Sequence, residues 1–403
     1  MKLKAAYLVF LLSLSQIMFS QTWVVYNSTN SSMIYDNVTA IAFEQDSTAW
    51  IGIQYGGAMT FKNEIWEQVD TSHIALYCSV NDISVAPNND VWITTQTNCG
   101  VIQYDNTTWH HHGFLFNYSL SCVEIDSSGV VWIGNSGNGG LFKYDNGVFT
   151  SYNENNSENP NDYVYGIGIV NNTKRWVIGT HEIGLMEDSV WSEYLYLSVI
   201  PYAFKMSIAV EHDSLIWIPS SLGLIKYENQ SWSVYDTTNS GMLMGNGIDD
   251  FPSIAIDADG NKWIASKSGL LKFDGINWTI FTTSNSDIPS NKVNVVEISY
   301  DNKVWVGTDN GLAILQSNSL SSPTTLSSEP DLVIYPNPAS DKINIRNLPP
   351  NSTGTYSIYN VFGQILKKGT TTYEIDIHNL SSGIYWIVVD ANSRRSTLKF
   401  VKE

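Results

Sequence analysis

Three observations predict an all-β chain. A tryptophan-centred strand recurs seven times at intervals of about forty residues, the opening stretch "TWVVYNSTNSSMI" at Thr22 matches the end of a repeat rather than its beginning, and the last 70 residues or so carry a different set of alternating strands. Together they predict a seven-bladed β-propeller closed by its own N-terminal strand, followed by a small C-terminal β-sandwich.

In chain order, residues 1–20 carry two lysines, an apolar run from Ala5 to Leu14 and a small residue, Ser20, at the end. That order is the pattern of a secretory signal peptide, and no other segment reaches the roughly 18 uninterrupted apolar residues of a membrane span, so none is expected in the mature chain. The repeats follow over residues 21–317. "AWIG" around Trp50 recurs as "VWIT" at Trp92, "VWIG" at Trp132, "RWVI" at Trp176, "IWIP" at Trp217, "KWIA" at Trp263 and "VWVG" at Trp305, spaced 42, 40, 44, 41, 46 and 42 residues apart. Four short strands and their turns fit in that period. The second holds the tryptophan, the third follows a glycine, and the fourth opens on an aromatic at Trp66, Trp109, Phe149, Trp191, Trp232 and Trp278. A seventh such aromatic would fall near Leu320, where the chain instead reads "SNSLSSPTTLSSEP". The N-terminal stretch is therefore the fourth strand of the last blade, and the ring has no free sheet edge. Residues 318–330 are a Ser, Thr and Pro linker, and 331–403 the sandwich, with Gly363 and Gly383 expected at turns.

Across 403 residues, 39 acidic side chains face 21 basic ones, a formal charge of −18. This field repels phosphate backbones and anionic membranes, so no nucleic-acid partner is expected. Three cysteines, Cys78, Cys99 and Cys122, are too few for a disulfide scaffold. They admit either buried thiols or one bridge, joining Cys99 to Cys78 or to Cys122.

The stretch "TTSNSDIPSNKVNVVEISYDNKVWVGTDNGLAIL" from Thr282 resembles the two-component regulator propeller repeat, and the resemblance spans roughly Gln21 to Gln316. It implies the propeller fold. In that family such propellers often form the periplasmic sensing part of a hybrid histidine kinase, although neither a span nor a kinase follows here. The four blocks "LVIYPNPASDKINI" at Leu332, "YSIYNVFGQIL" at Tyr356, "IDIHNLSSGIYWIVV" at Ile375 and "TLKFVKE" resemble the type IX secretion sorting domain, type A, of Bacteroidota. That resemblance implies the type IX machinery as a partner and passage across the outer membrane, to the cell surface or the medium.

Catalytic signatures are missing: no "HExxH", no "GxSxG" and no phosphate loop occurs, and no cofactor is expected. "GNSGNGG" at Gly134 reads as a glycine-rich hairpin, and "DADG" at Asp257 as a hairpin turn rather than a calcium loop. In "HHH" at His110 only His110 and His112 could share a strand face, and an exposed polar strand is expected there rather than a metal site. Candidate ligand residues are His73, Tyr77, Tyr118, Tyr163, Tyr165, Tyr202 and Phe204, which fall on the ring face shared by the fourth-to-first connections and the second-to-third loops. Their ring planes, among Asn and Ser, suit a sugar or a peptide. Four tripeptides resemble the Bacteroidota O-glycosylation sequon, and at least one of Ser47, Ser189, Ser214 and Thr237 is expected to carry a glycan. The function expected is non-catalytic recognition of a glycan or protein. The alternatives are a polysaccharide lyase or hydrolase and a ligand-sensing module working with a separate receptor.

Overall fold

Each repeat becomes a four-stranded antiparallel sheet. Blade 1 consists of Val38–Phe43, Ala49–Ile53, Gly57–Lys62 and Ile65–Gln68, and blade 7 supplies Val293–Ile298, Val304–Thr308 and Gly311–Leu315. The computed structural model describes residues 22–69, 74, 78–95, 99–112, 119–137, 139–153, 155–157, 163–179, 182–196, 207–212, 215–220, 223–239, 253–316, 333–335, 339–346, 354–360, 365–371, 374–381, 383–391 and 394–402. The expected signal peptide, the expected linker and Gly363 lie outside these residues. The chain divides into two units, residues 1–319 and 320–403.

The fourth strand of blade 7 is Trp23–Tyr26. It pairs antiparallel with Gly311–Leu315, Trp23 opposite Leu315 and Tyr26 opposite Leu312, and the Gln316 amide donates to the Thr22 carbonyl at 2.9 Å. Gly311 makes this approach feasible: its φ is +124°, and a Cβ there would lie 2.5 Å from the Tyr26 carbonyl oxygen. Trp23 is 7% exposed and meets Phe281 of blade 6 edge-on at 5.8 Å.

First strands of successive blades touch in a closed cycle, which makes them the innermost strands and the wall of the central channel. Second strands are buried at every residue but Lys174 of blade 4, because neighbouring blades cover both faces. Among the described residues the propeller core is accordingly seven separate clusters, one for each seam between blades. The seven repeat tryptophans are 2% to 7% exposed. Several meet an aromatic of the following blade: Trp50 with Tyr104, Trp92 with Tyr144, Trp176 with Tyr227, Trp217 with Phe273 and Trp305 with Phe61, at 4.8 to 6.2 Å. The glycine of "WIG" serves the same seam, since a Cβ at Gly52 would lie 2.5 Å from Val80 of the next inner strand.

Two polar devices recur. An acid six residues before the tryptophan accepts its indole N–H in blades 1, 5 and 6: Glu44 for Trp50 (2.6 Å), Glu211 for Trp217 (2.7 Å) and Asp257 for Trp263 (2.8 Å); Asp126 stands 3.4 Å from Trp132 in blade 3. The inner strands of blades 1, 2, 3 and 7 also carry a one-residue bulge near their start, and the bulged side chain reaches the next blade's backbone. Thr39 donates to the Val80 carbonyl, Asn81 to that of Leu120, Ser121 to that of Val164 and Asn294 to that of Val38.

In the second unit, Val333–Tyr335, Lys342–Arg346 and Glu374–Asp376 form one sheet, and Gly354–Asn360, Ile365–Thr371, Gly383–Ala391 and Arg394–Lys402 the other. One core unites them, with Ile343, Ile345 and Ile375 from the first sheet and Ile358, Ile387, Val389 and Phe400 from the second. Gly383, expected at a turn, opens the long strand instead.

Removing residues 21–30 is expected to leave Gly311–Leu315 as a bare edge and to drive aggregation, visible by size-exclusion chromatography; an unchanged monomer peak and melting curve would contradict closure. Trp23→Ala is expected to cost about 3–5 kcal/mol in urea unfolding, as for other large core truncations.

Candidate recognition face and central channel

The fourth-to-first connections and second-to-third loops share one end of the ring, and two tyrosines stand out there. Tyr35, in the connection leading into blade 1, is 50% exposed, and Tyr55, in the following second-to-third loop, 58%. A Cβ at Gly56 would lie 3.2 Å from the Tyr35 ring, so that ring lies against the loop backbone beside Tyr55. The loop is pinned by the Tyr55 amide, which donates to Ser79 Oγ of blade 2 at 3.2 Å. Beside them a chain of amides crosses from blade 7 to blade 1. Asn294 Nδ2 donates to Asn37 Oδ1 at 2.8 Å, and Asn37 Nδ2 to Gln54 Oε1. Exposed ring planes next to oriented amides can cover the apolar face of a pyranose and pair with its hydroxyls.

Of the candidates expected from sequence, Tyr163 is 42% exposed on this same end. Tyr165 occupies the bulge of the blade 4 inner strand, where other blades place Thr39, Asn81, Ser121 or Asn294, and its ring packs against the seam between blades 4 and 5. His73, Tyr77, Tyr118, Tyr202 and Phe204 lie outside the described residues. Sequence reasoning missed Tyr35 and Tyr55. Their signal was available, as both fall in connections of the same class as the chosen residues. Cys78 and Cys99 are bonded, with Cα atoms 6.0 Å apart, and tie the start of the blade 2 inner strand to its second-to-third loop. Cys122 is a buried thiol whose pKa burial pushes up, so thiolate chemistry is disfavoured.

Two inner-strand carboxylates from other blades, Asp82 and Glu297, act on Glu124 of blade 3. Glu124 keeps part of its surface open, yet burial raises its pKa well above the ordinary glutamate value of 4.5, with repulsion from Asp82 and Glu297 adding to the effect. Asp82 also accepts the Val123 amide at 2.9 Å. A carboxyl whose pKa is raised in this way is a candidate proton donor.

The metal candidates separate. His110 is exposed and paired with Asp105 at 2.8 Å, whereas His112 is half-buried and stacked on Trp92 at 5.1 Å, its pKa lowered to about 4 by burial and then by His110 and His111. This corrects the exposed-strand reading for His112, which the blade 2–3 seam covers. Among the described residues no group of three His, Cys, Asp or Glu is placed to hold a metal. Asp257 works as a turn acid, accepting the amides of Asp259 and Asn261 as well as the Trp263 indole. Around Gly134, Asn135 closes the hairpin by accepting the Gly137 amide at 2.7 Å. Among the described residues no helix is long and apolar enough to cross a membrane.

Residues 333–403 match the family described as the secretion system C-terminal sorting domain, which directs the chain across the outer membrane to the cell surface or the medium. No curated protein matches the chain in sequence. Among solved structures, the chain is similar to the extracellular domain assigned to a hybrid two component system of B. thetaiotaomicron, at 15% identity and a TM-score of 0.63 over 95% of this chain and 57% of that one. It is similar to PorZ of Porphyromonas gingivalis, a surface component of the type IX secretion system, at 17% and 0.56, over 91% and 59%. It is also similar to virginiamycin B lyase of Staphylococcus aureus, at 13% and 0.57, over 73% and 99%. The chain thus spans less than two thirds of the first two proteins, and likeness at these identities establishes the fold.

Between pH 4.5 and the raised Glu124 pKa, the folded chain holds a proton that the unfolded chain has lost, so stability falls as pH rises through that window. Glu124→Gln removes this slope. Thermal unfolding across pH should show the variant gaining on the wild type above 4.5, and a constant difference would overturn the assignment.

Proposed function

We propose that this protein is an exported, non-catalytic propeller that recognises a hydroxyl-rich ligand, a glycan, on the loop face of the ring. The observation carrying this reading is the pair of exposed tyrosines, Tyr35 and Tyr55, beside the Gln54, Asn37 and Asn294 amides. The sorting domain supports it by bringing that face outside the cell, where polysaccharides are the abundant ligands. Similarity to the extracellular domain of a sensor system fits recognition as well. Tyr35→Ala and Tyr55→Ala should each weaken binding to a glycan found by array screening by about tenfold, the scale of one lost ring contact. Full binding by the double variant would overturn the reading.

One observation favours a second reading, a polysaccharide lyase or hydrolase. The pKa of Glu124 is raised by burial and by the nearby Asp82, and one similar fold is a lyase. Chain cleavage abolished by Glu124→Gln would establish it, and an activity screen without cleavage would remove it.

We further propose O-glycosylation in the native organism. Ser47, Ser189 and Thr237 are exposed in turns, whereas Ser214 lies outside the described residues. Asp46 and Asp236 bond the third residue of their tripeptides, Thr48 and Thr238, rather than the expected acceptor. Intact-mass analysis of the native secreted protein should exceed the bare processed chain; equality would end the proposal.

A further inference from the structure

At the opposite end of the ring, the seam between blades 7 and 1 holds a cleft of about 320 Å³. Its walls include Tyr26, Phe43, Phe61 and Trp305, and Lys62 and Lys303 stand at its edge. The cleft corresponds to two positions that the 3–4 and 5–6 seams fill. Six residues before the tryptophan, where blades 1, 3, 5 and 6 carry Glu44, Asp126, Glu211 and Asp257, blade 7 carries Ser299. Immediately before the next blade's tryptophan, where Arg175 lies 3.8 Å over the Trp132 ring and Lys262 4.4 Å over that of Trp217, blade 1 carries Ala49. Trp305 is 7% exposed, and among the described residues it is the one repeat tryptophan whose indole N–H is buried without an acceptor. A buried donor left unpaired costs on the order of 1–3 kcal/mol, so the site favours any ligand that supplies an acceptor.

The seam between blades 5 and 6 shows what the missing group is. There one oxygen of Glu211 receives both the Trp217 indole at 2.7 Å and the Lys262 ammonium at 2.9 Å. At the 7–1 seam the indole has no acceptor, and Lys62 and Lys303, from other positions than that of Lys262, line the same cleft. Ser299 cannot supply the acceptor, since its hydroxyl is engaged with Asp301 and the Lys303 backbone.

We propose that this cleft binds a small organic carboxylate of monosaccharide size, a hexuronate being the model, with its carboxylate in the place that Glu211 takes at the 5–6 seam. The Trp305 indole and one lysine hold the carboxylate, and Phe43 and Phe61 face the ring of the ligand. Lys303 pairs with Asp301 at 2.6 Å and Lys62 with Asp46, and Glu64 also lines the cleft. An incoming carboxylate therefore exchanges with these exposed acids for a lysine rather than meeting an unopposed positive field. The site lies away from Tyr35 and Tyr55 and does not rest on the function proposed above.

The test is titration of the full chain with sodium glucuronate and with glucose at millimolar concentration, followed by intrinsic tryptophan fluorescence and calorimetry. Glucuronate should bind and glucose should not. Ser299→Glu should supply the acceptor internally, abolish glucuronate binding and raise the melting temperature. Lys303→Met should weaken binding about tenfold, the scale of one charge-assisted hydrogen bond. Tyr35→Ala should leave it unchanged, so failure of the loop-face reading is read separately. Equal binding of glucose, no binding of glucuronate, or unaltered binding by Ser299→Glu and Lys303→Met together would each overturn the proposal.

Discussion

The structure depends on one contact made seven times: the indole in the middle of each second strand, packed into the seam with the following blade. A four-stranded blade has two apolar faces and cannot bury either alone, so its stability is shared with its neighbours. Arranged in a ring, that dependence has no natural end, and the chain must supply its own closure. The Trp23–Tyr26 strand does so by placing Trp23 against blade 6 and Tyr26 against blade 1, where it meets Phe61 and Trp66. The last blade in the chain is thus completed by the first of the described residues.

Polar groups follow from the same constraint. A buried indole N–H needs an acceptor, and an acid six residues earlier reaches it across the turn between first and second strands. A bulged inner-strand residue has no ladder partner of its own, and it bonds the neighbouring blade instead. These groups are occupied by structure, which is why "DADG" is a turn acid and not a metal loop. Function must use positions where the repeat departs from its own rule. Tyr165 in a bulge otherwise held by small polar residues, Glu124 among inner-strand carboxylates, and Ser299 in place of an acid are such departures.

The two ends of the ring differ for a related reason. Connections between blades are long at one end, giving the exposed rings of Tyr35 and Tyr163. Turns within blades at the other end are short, with Asn63 and Glu64, and Asp188 and Ser189, held at positive φ in tight hairpins. Variation there has to come from side chains in the seams.

The blade count, the strand order and the N-terminal closure were legible because periodicity is local: a Trp strand every forty residues, a glycine before each third strand, and an aromatic opening each fourth. The sorting domain was legible for the same reason, as four blocks in order. Sequence also singled out one end of the ring as the expected place of recognition. It did not select Tyr35 and Tyr55, because exposure of a loop aromatic depends on what packs beside it, here Gly56 and Ser79. The partner of Cys99 was likewise open, since Cys78, just before the inner strand of blade 2, and Cys122, within that of blade 3, are told apart only by the distance between blades. Nor did sequence show that Asp82 and Glu297, from blades 2 and 7, act on Glu124 of blade 3. Their spacing along the chain carries no trace of that meeting, which exists only because seven inner strands close around one axis.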